Sequence, residues 1–416
     1  MKGARLTRMG RPPRLAALAT VMVLVAVLCA SAASASGSKQ SAGTITVGAI
    51  LPFSGTLSYY GQEYKRGMDI AVSYVNSHGA IKGKKLAISY IDGPNAAAQA
   101  DGVRTLHSQG VNIYTGTGSS SFDLADANVG DQLGMLGWLL GVDKSTSIQH
   151  PQWVIQPEPT TDFFTLPAEN ILAQIPARMH IKSRQLKVAI VCSNDAYGQS
   201  NCQDYKLYVQ GHMHANLVAE QYYDKTASDL SPVVLRLQAA NPDVIVQTGY
   251  TDDVVTMWRQ AKAIGYEPKW FIGSGGTATT NFVQALGNWA NGFIAVSYAM
   301  PSKGQKFSWW FGNMYRKLYG QPIPSGHAMM AASGILKLAD ALRAAGGTDD
   351  PAKVIAAAEK MRKPLNTYPD GCGFKLVNHR NALCSTVAMQ WQGQQLKMVW
   401  PKKFAVTKIL GPLPLK

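Results

Sequence analysis

The chain has 416 residues, of which 16% are charged, and its formal net charge at pH 7 is +15. The basic residues are scattered, with pairs such as Lys84-Lys85 and Lys402-Lys403 but no longer block. Nucleic-acid binding would require a concentrated basic patch, so this pattern argues against it. A scattered positive surplus is instead typical of a solvated surface and can help a protein lie near an anionic cell envelope.

The first 35 residues have the three parts of a secretory signal peptide. The basic residues come first, without any acid, at Lys2, Arg5, Arg8, Arg11 and Arg14. An apolar stretch at 15–30 follows, and Ala33-Ser34-Ala35 supplies small residues for cleavage. The apolar stretch is short for a membrane anchor, and Leu28 before Cys29 argues against lipidation. We therefore predict an exported protein, in the periplasm or at the outer face of the envelope.

The segment from 44 to 142 alternates between short apolar runs and amphipathic stretches. The predicted strands are 45–51, 86–90, 111–114 and 135–142. The predicted helices are the segment that ends near Gly79, then 95–109 and 122–133. This order requires a parallel sheet with helices on both faces.

The pattern then starts again, with strands predicted at 186–191, 217–222, 244–247, 270–273 and 293–296. The runs ITVGAILPFSGTLSYYG and LKVAIVCSNDAYG share a strand, a polar turn and a Tyr-Gly pair. Helices follow at 307–318, 328–345 and 351–361, and the tail from residue 372 reads as an antiparallel hairpin. About 380 residues are too many for one ordinary core. Because no Gly/Ser-rich or Pro-rich linker interrupts them, we expect two lobes joined by short crossings.

Four cysteines remain after the signal peptide: Cys192, Cys202, Cys372 and Cys384. Outside the cytoplasm an even number favours disulfides. Of the three possible connectivities, we expect the two short loops, Cys192–Cys202 and Cys372–Cys384. Zinc is the alternative, but the spacing lacks the C-x-x-C or H-x-x-x-H pattern of a zinc site.

The sequence contains no phosphate-binding loop, zinc-protease or serine-hydrolase motif. The glycine-rich turns at 116–121 and 273–276 lack the full dinucleotide-binding pattern. The pairs Asp252-Asp253 and Asp349-Asp350 lie near predicted helix starts, where acids favour the helix dipole. We therefore expect no enzyme activity, no cofactor and no metal site.

Two sets of residues are suited to hold a small molecule. Ser119, Ser120 and Ser121 open a helix after a strand, where hydroxyls and free amides can bind a carboxylate, although the local evidence alone favours a simple helix cap. Tyr60, Tyr197 and Tyr250 lie at matching strand-to-helix junctions, and each can offer a ring face and a hydroxyl.

The stretch ITVGAILPFSGTLSYYGQEYKRGMDIAVSYVNSHGAIKGKKLAISYIDG resembles the start of the leucine/isoleucine/valine-binding proteins of ABC importers. VAIVCSNDAYG and NPDVIVQTGYTDDVVTMWRQAKAIGY are similar to their second lobe. The resemblance covers most of the chain from about residue 44. It implies a type I periplasmic-binding fold, in which two α/β lobes joined by three crossings close on a ligand. By position the lobes would be 44–160 with 299–366, and 161–298 with 367–416.

The resemblance also implies site residues. Tyr60 would line the cleft, the carboxylate-binding serine corresponds to Ser119, and the aromatic contacts of the second lobe correspond to Tyr197 and Tyr250. A pocket position in a late helix corresponds to His327, whose protonation we expect to tune affinity near neutral pH.

Two departures affect the expected ligand. In the family, one segment holds the ligand's carboxylate and amino group, and in this chain its residues are Leu140, Gly141, Val142 and Asp143. The family's acidic residue that binds the ligand's ammonium corresponds here to Gly275 or a neighbour. A buried ammonium without an acid is costly. We therefore expect a solute with a carboxylate and an apolar or aromatic body, unless Asp143 or Asp252 replaces the missing acid.

The predicted function is an extracytoplasmic solute receptor of an ABC importer, for a branched-chain amino acid or a related organic acid or amide. Its partners would be the permease and ATPase subunits at the membrane, and the protein itself would be a monomer. The alternative is a ligand-sensing, ectodomain-like receptor that acts through a separate membrane partner.

Overall fold

A first sheet of five parallel strands forms one side of the molecule. The computed structural model describes residues 43–116 and 119–414. The strand order is β2-β1-β3-β4-β5. The strands are β1 (Thr44–Leu51), β2 (Lys85–Asp92), β3 (Ile113–Gly116), β4 (Leu136–Trp138) and β5 (Val154–Ile155). The last five residues of β1 are all buried, as expected for a strand covered on both faces.

Four helices connect these strands: α1 (Ser58–Ser77), α2 (Ala96–Ser108), α3 (Ser120–Gln132) and α4 (Ser145–Gln149). Asn95 caps α2 by accepting a hydrogen bond from the amide of Ala98, and Ser119 caps α3 by accepting one from the amide of Ser121. Such residues satisfy amides that have no acceptor within the helix.

A second sheet has seven strands in the order β14-β13-β10-β9-β8-β6-β7. Its strands are β6 (Lys187–Ser193), β7 (Asn216–Tyr223), β8 (Val244–Gly249), β9 (Trp270–Gly275), β10 (Ile294–Ser297), β13 (Val387–Gln392) and β14 (Gln395–Trp400). The first five are parallel, and β13 and β14 extend the sheet as an antiparallel hairpin. Its helices are α8 (Ala196–Leu207), α9 (Ser231–Ala240), α10 (Thr251–Ala263) and α11 (Thr280–Leu286).

The chain passes between the two sheets three times. The first crossing follows β5 and contains α5 (Thr161–Phe164), α6 (Leu166–Leu172) and α7 (Ile175–Arg178). The second follows β10 and leads to α12 (Lys306–Tyr319), α13 (His327–Ala344) and α14 (Pro351–Lys360). The third carries the short hairpin of β11 (Leu376–Val377) and β12 (Arg380–Asn381) before the chain enters β13.

The helices after the second crossing pack beside the first sheet. Helix α13 is buried along most of its length and contacts α1 and β4, and the indole of Trp138 donates to the carbonyl of Gly334 at 2.9 Å. Helices α1 and α13 approach closely because Gly67 has no side chain, and a Cβ there would clash with the carbonyl of Ala328. We call the five-stranded sheet with α1–α4 and α12–α14 the first lobe, and the seven-stranded sheet with α8–α11 the second lobe.

These observations confirm the predicted two-lobed α/β architecture with mostly parallel sheets. The predicted strand at 135–142 is shorter than expected, because β4 ends at Trp138. The amide of Gly141 donates to the carboxylate of Asp123 at 2.6 Å, which holds the segment away from the sheet. The tail also differs, since it forms two hairpins and not one.

The predicted disulfides Cys192–Cys202 and Cys372–Cys384 are both present. The first links the end of β6 to α8, and the second closes the third crossing around the hairpin of β11 and β12. The predicted signal peptide lies outside the described residues. Within residues 43–116 and 119–414, no helix is long and apolar enough to cross a membrane.

A buried charge cluster joins two of the crossings to α13. The ammonium of Lys337 donates to the carboxylate of Glu158 at 2.7 Å and to that of Asp370 at 3.1 Å, and all three side chains are buried. Burial alone would lower the pKa of Lys337, but the two carboxyl groups raise it, so the lysine keeps its charge. Because Glu158 belongs to the first crossing and Asp370 to the third, Lys337 fixes both crossings against one helix.

Replacing Lys337 should therefore destabilise the fold strongly. We expect Lys337→Met to lower the free energy of unfolding by about 3–5 kcal/mol, because it leaves two carboxyl groups buried without their cation. Urea denaturation at pH 7 measures this. The matched control is Arg104→Met, which removes an exposed ion pair with Asp101 and should cost less than about 1 kcal/mol. Equal costs for the two variants would contradict the structural role of the cluster.

Candidate functional site

One pocket, which holds ≈ 420 Å³ of space free of protein atoms when the open solvent at its mouth is included, lies where the carboxyl ends of strands from both sheets meet. Its wall includes residues that follow β1, β3, β4, β6 and β8, together with Gly275 at the end of β9. In open parallel sheets this edge is where ligands bind. The lining residues are Tyr60, Tyr64, Ser119, Ser120, Leu140, Gly141, Val142, Phe164, Tyr197, Gly249, Tyr250, Gly275, Tyr298 and His327.

Six rings form a closed circle around this cavity, which we call the aromatic collar. In order they are Tyr60, Tyr250, Tyr197, Phe164, Tyr298 and His327, and successive centroids lie 6.0, 5.3, 5.9, 5.8 and 5.3 Å apart, with 4.8 Å from His327 back to Tyr60. Two members come from the first lobe, two from the second and two from the crossings. Edge-to-face and tilted contacts at these distances are the favourable aromatic geometries.

Secondary structure explains how these side chains come together. Tyr60 and Tyr64 lie one turn apart on α1, so they face the same way. Tyr197 is in the first turn of α8, and Tyr250 immediately precedes α10. His327 is the first residue of α13.

The N-terminus of α3 supplies the polar part of the wall. The hydroxyl of Tyr250 donates to the Oγ of Ser119 at 2.8 Å, and the amide of Asp143 donates to the Oγ of Ser120 at 3.3 Å. A helix N-terminus carries partial positive charge and favours an anion.

Charged groups behind Tyr250 hold its ring and hydroxyl in place. The carboxylate of Asp195 lies 3.0 Å from the Tyr250 hydroxyl and pairs with Lys225 at 2.6 Å. Burial would raise the pKa of Asp195, but Lys225 and hydrogen bonds from Gly198 and Ser193 lower it below its ordinary value. The Lys225 ammonium also lies 4.5 Å from the centre of the Tyr250 ring, within the range of a cation–π contact.

The described lining residues carry no ionised side chain at neutral pH. Burial raises the pKa of the lining tyrosines well above its ordinary value, so they remain protonated. Burial also lowers the pKa of His327 to about 3. The prediction that His327 changes charge near neutral pH is therefore wrong, because the imidazole is enclosed by Tyr60, Tyr64 and Tyr298 and shares a hydrogen bond with Ser325.

Gly275 lies on the wall and leaves no room for the missing acid. Its φ is +62°, and a Cβ there would lie 2.5 Å from the Tyr197 hydroxyl and 2.9 Å from the carbonyl of Gly249. The buried Tyr197 hydroxyl has no hydrogen-bond partner within the part of the chain that the structure describes. A buried hydroxyl of this kind normally finds a partner.

The structure brings most of the predicted site residues together. Tyr60, Ser119, Ser120, Val142, Tyr197, Tyr250, Gly275 and His327 all line the cavity, as do Leu140 and Gly141.

Three other candidates do not line the cavity. The Oγ of Ser121 accepts a hydrogen bond from the amide of Ala196, across the gap between the lobes. The carboxylate of Asp143 is bonded to the amide and hydroxyl of Ser145 at the start of α4. Asp252 lies in the first turn of α10 and is not part of the wall. Neither aspartate replaces the acid that is missing at Gly275.

Four wall residues were not predicted from the sequence: Tyr64, Phe164, Gly249 and Tyr298. Helical spacing could have identified Tyr64, since it is one turn after Tyr60. Gly249 ends β8, next to the predicted Tyr250. Phe164 and Tyr298 lie in the crossings, where no local pattern indicates which way a side chain points.

A family model described as periplasmic binding protein matches residues 44–395. The chain belongs to this family. Its members are solute-binding proteins. One relative is the Leu/Ile/Val-binding protein homolog 7 of Brucella suis biovar 1, which is 29% identical over 401 residues, 94% of this chain and 98% of the relative. Homolog 8 of Brucella abortus is 27% identical over 381 residues, 88% of this chain and 92% of the relative.

Solved structures share the fold. The branched-chain amino acid transporter substrate-binding protein LivJ from Streptococcus pneumoniae, in complex with isoleucine, has a TM-score of 0.73 and 18% identity, with 89% of this chain and all of LivJ covered. An ABC transporter solute-binding protein from R. palustris, in complex with 4-hydroxybenzoate, has a TM-score of 0.73 and 20% identity, covering 85% of this chain and 95% of that one. These likenesses confirm the type I periplasmic-binding fold.

The buried, neutral His327 should make this periplasmic binding protein less stable in acid. Between about pH 6.5 and 3 the unfolded histidine binds a proton that the folded one does not, so stability falls as the pH falls. We expect wild type to lose up to about 2 kcal/mol more between pH 6.5 and 5 than His327→Gln does. Urea denaturation at several pH values measures this, with the exposed His107→Gln as control. Parallel stability curves for wild type and His327→Gln would contradict the neutral state of His327.

Proposed function

We propose that this chain is the extracytoplasmic solute receptor of an ABC importer and that it captures a small carboxylate-bearing solute without an ammonium group. It acts as a monomer, is exported, and delivers its solute to permease and ATPase subunits at the membrane. The lobes that close on the solute span 44–160 with 299–366, and 161–298 with 367–416. Support for the class comes from the family match and from relatives named as Leu/Ile/Val-binding protein homologs.

The observation that carries the ligand class is the lack of an ionised side chain among the described wall residues. A solute enclosed between the lobes loses its water, and an unpaired ammonium in such a place costs several kcal/mol or changes its protonation. A carboxylate is favoured at the start of α3, where the helix dipole is positive, and it can accept a hydrogen bond from the hydroxyl of Tyr197, which has no partner within the described residues. The carboxylate therefore fits this wall and the ammonium does not.

The aromatic collar defines the rest of the solute. Its rings enclose a space suited to a flat or branched apolar body, which gains contact with ring faces and loses contact with water. Two proteins of the same fold were solved with different kinds of ligand. LivJ was solved with isoleucine, and the R. palustris protein with 4-hydroxybenzoate, an aromatic carboxylate that lacks an ammonium. The wall of this cavity favours the second chemistry.

Calorimetric titration of the mature protein with benzoate, 4-hydroxybenzoate, the neutral amide of each, 4-methylpentanoate and leucine tests the ligand class. We expect an acid to bind at least about tenfold more tightly than its amide, because hydrogen bonds to a charged group are worth about 1.5–3 kcal/mol. We expect 4-methylpentanoate, which is leucine without its amine, to bind more tightly than leucine. Tight binding of leucine would overturn the ligand class while leaving the family intact.

Ser119→Ala identifies the position of the carboxylate. It removes one hydroxyl at the start of α3 and should weaken binding of the acid by roughly 10- to 100-fold, with little effect on the amide. Ser108→Ala, at the exposed end of α2, is the matched control and should leave both affinities unchanged. An unchanged affinity in Ser119→Ala would remove the carboxylate from this position.

A further inference from the structure

Helix α12 has one buried side and one side that faces solvent. Its buried residues are Ser308, Phe311 and Tyr315, and hydrogen bonds of Ser308 and Tyr315 join them to α13 and α1. On the opposite side, residues three and four apart form a stripe along the helix. This stripe and one residue of the preceding loop make up what we call the basic–aromatic face: Lys303, Lys306, Trp309, Trp310, Arg316 and Lys317.

The positive charge of the basic–aromatic face has no counter-charge within this part of the chain. The sequence contains no Asp or Glu between Glu267 and Asp340. Among the described residues, none of the four basic side chains of the face forms an ion pair with a carboxylate. The fold therefore gathers on one helix side cations that are spaced apart in the sequence. Like charges at this spacing repel one another, so an anionic partner outside the chain would stabilise them.

Helix stability explains only part of this charge. Arg316 and Lys317 lie in the last turn of α12, where cations favour the helix dipole. Lys303 and Lys306 lie at the other end, where the dipole is positive and cations are unfavourable, and the first turn contains no acid. The two lysines at the start of α12 are therefore not explained by capping.

Aromatic rings lie among these cations. Trp309 is 38% exposed, and the Lys303 ammonium lies 5.4 Å from the centre of its ring, within the range of a cation–π contact. Trp310 is half-buried and packs against Tyr74 of α1 at 5.0 Å, and Tyr74 stacks on the exposed His78 at 4.0 Å. The aromatic surface thus continues from α12 onto α1. An exposed aromatic patch of this kind is more informative than a single exposed apolar residue.

We propose that the basic–aromatic face binds the surface of an anionic lipid bilayer. A helix side with Trp among Lys and Arg is typical of segments that lie in a membrane interface. The indole rings suit the boundary between headgroups and acyl chains, and the cations suit acidic headgroups. The charge complementarity selects an anionic surface, and the exposed indole selects one that also offers apolar depth. The inference rests on the export proposed above and concerns a surface away from the solute cavity.

Sedimentation with sucrose-loaded vesicles tests this binding. The mature protein, without added solute, is mixed with vesicles of phosphatidylcholine alone or with about one-third phosphatidylglycerol. The charge variant is Lys303→Gln, Lys306→Gln and Lys317→Gln together. Its matched control replaces three exposed lysines of the tail, as Lys402→Gln, Lys403→Gln and Lys408→Gln.

The aromatic variant in the same assay is Trp309→Ala. Its matched control is Leu235→Ala, which removes a large exposed apolar side chain from α9 in the second lobe. Because no solute is present, the result is independent of the ligand class proposed above.

We expect wild type to bind the anionic vesicles, to leave the neutral ones free, and to bind less as salt is added. The charge variant should bind roughly 100-fold more weakly, because each basic residue near such a surface contributes about fivefold. Trp309→Ala should bind roughly tenfold more weakly, because it removes an apolar ring from the interface. Both controls should bind like wild type, and anionic vesicles should slow amide hydrogen exchange in a peptide covering 303–319.

Three results would overturn the proposal. The first is a wild type that does not bind anionic vesicles. The second is an equal loss of binding in the two lysine variants, which would show that net charge alone is responsible. The third is binding to inorganic polyphosphate without binding to vesicles, which would assign the basic–aromatic face to a soluble anionic polymer.

Discussion

The cost of enclosing a charge is the constraint on which this receptor depends. When two lobes close on a solute, water leaves the gap, and every charge on the solute must find a partner in the wall. The described wall residues provide hydroxyls, the start of a helix and a circle of rings, but no ionised side chain. Behind the wall, Asp195 is paired with Lys225, and the carboxyl group of Asp123 accepts a hydrogen bond from the amide of Gly141. The protein thus keeps its charges outside the cavity and leaves inside it the groups that an anion with an apolar body can use.

The same residues connect the site to the movement of the lobes. The aromatic collar takes members from both lobes and from the crossings, so it is complete only when the lobes are together. Tyr250 bonds to Ser119 and Tyr60 bonds to Thr251, and both bonds pass from one lobe to the other. Further along α13, Lys337 pairs with carboxyl groups from two of the crossings and so fixes them against this helix. The first residue of the same helix, His327, belongs to the aromatic collar. A change of angle between the lobes is therefore a change in the shape of the cavity.

Much of the fold could be predicted from the sequence because its signals are local. Apolar runs such as 45–51 and 244–247 correspond to buried strands, and the two disulfides follow from export and short spacing. The strand predicted at 135–142 was too long, because the amide of Gly141 bonds to Asp123 on the preceding helix α3, a tertiary contact that ends the strand pairing. The pattern of apolar residues along the sequence gives no sign of such a contact.

The site was predicted in part, for a similar reason. Residues at strand-to-helix junctions, such as Tyr60, Tyr197 and Tyr250, reach the cavity because the topology brings the carboxyl ends of the strands together. Phe164 and Tyr298 reach it through the path of the crossings, which the sequence does not specify. The charge state of His327 was mispredicted because its pKa is set by burial, and the rings that enclose it come from distant segments.

The most direct test of the central claim is native mass spectrometry of the protein purified from its own host, followed by accurate-mass analysis of the solute released on unfolding. The account predicts a small carboxylic acid that has an apolar or aromatic body and no basic nitrogen. Recovery of leucine, isoleucine, valine or another solute with an ammonium group would contradict it.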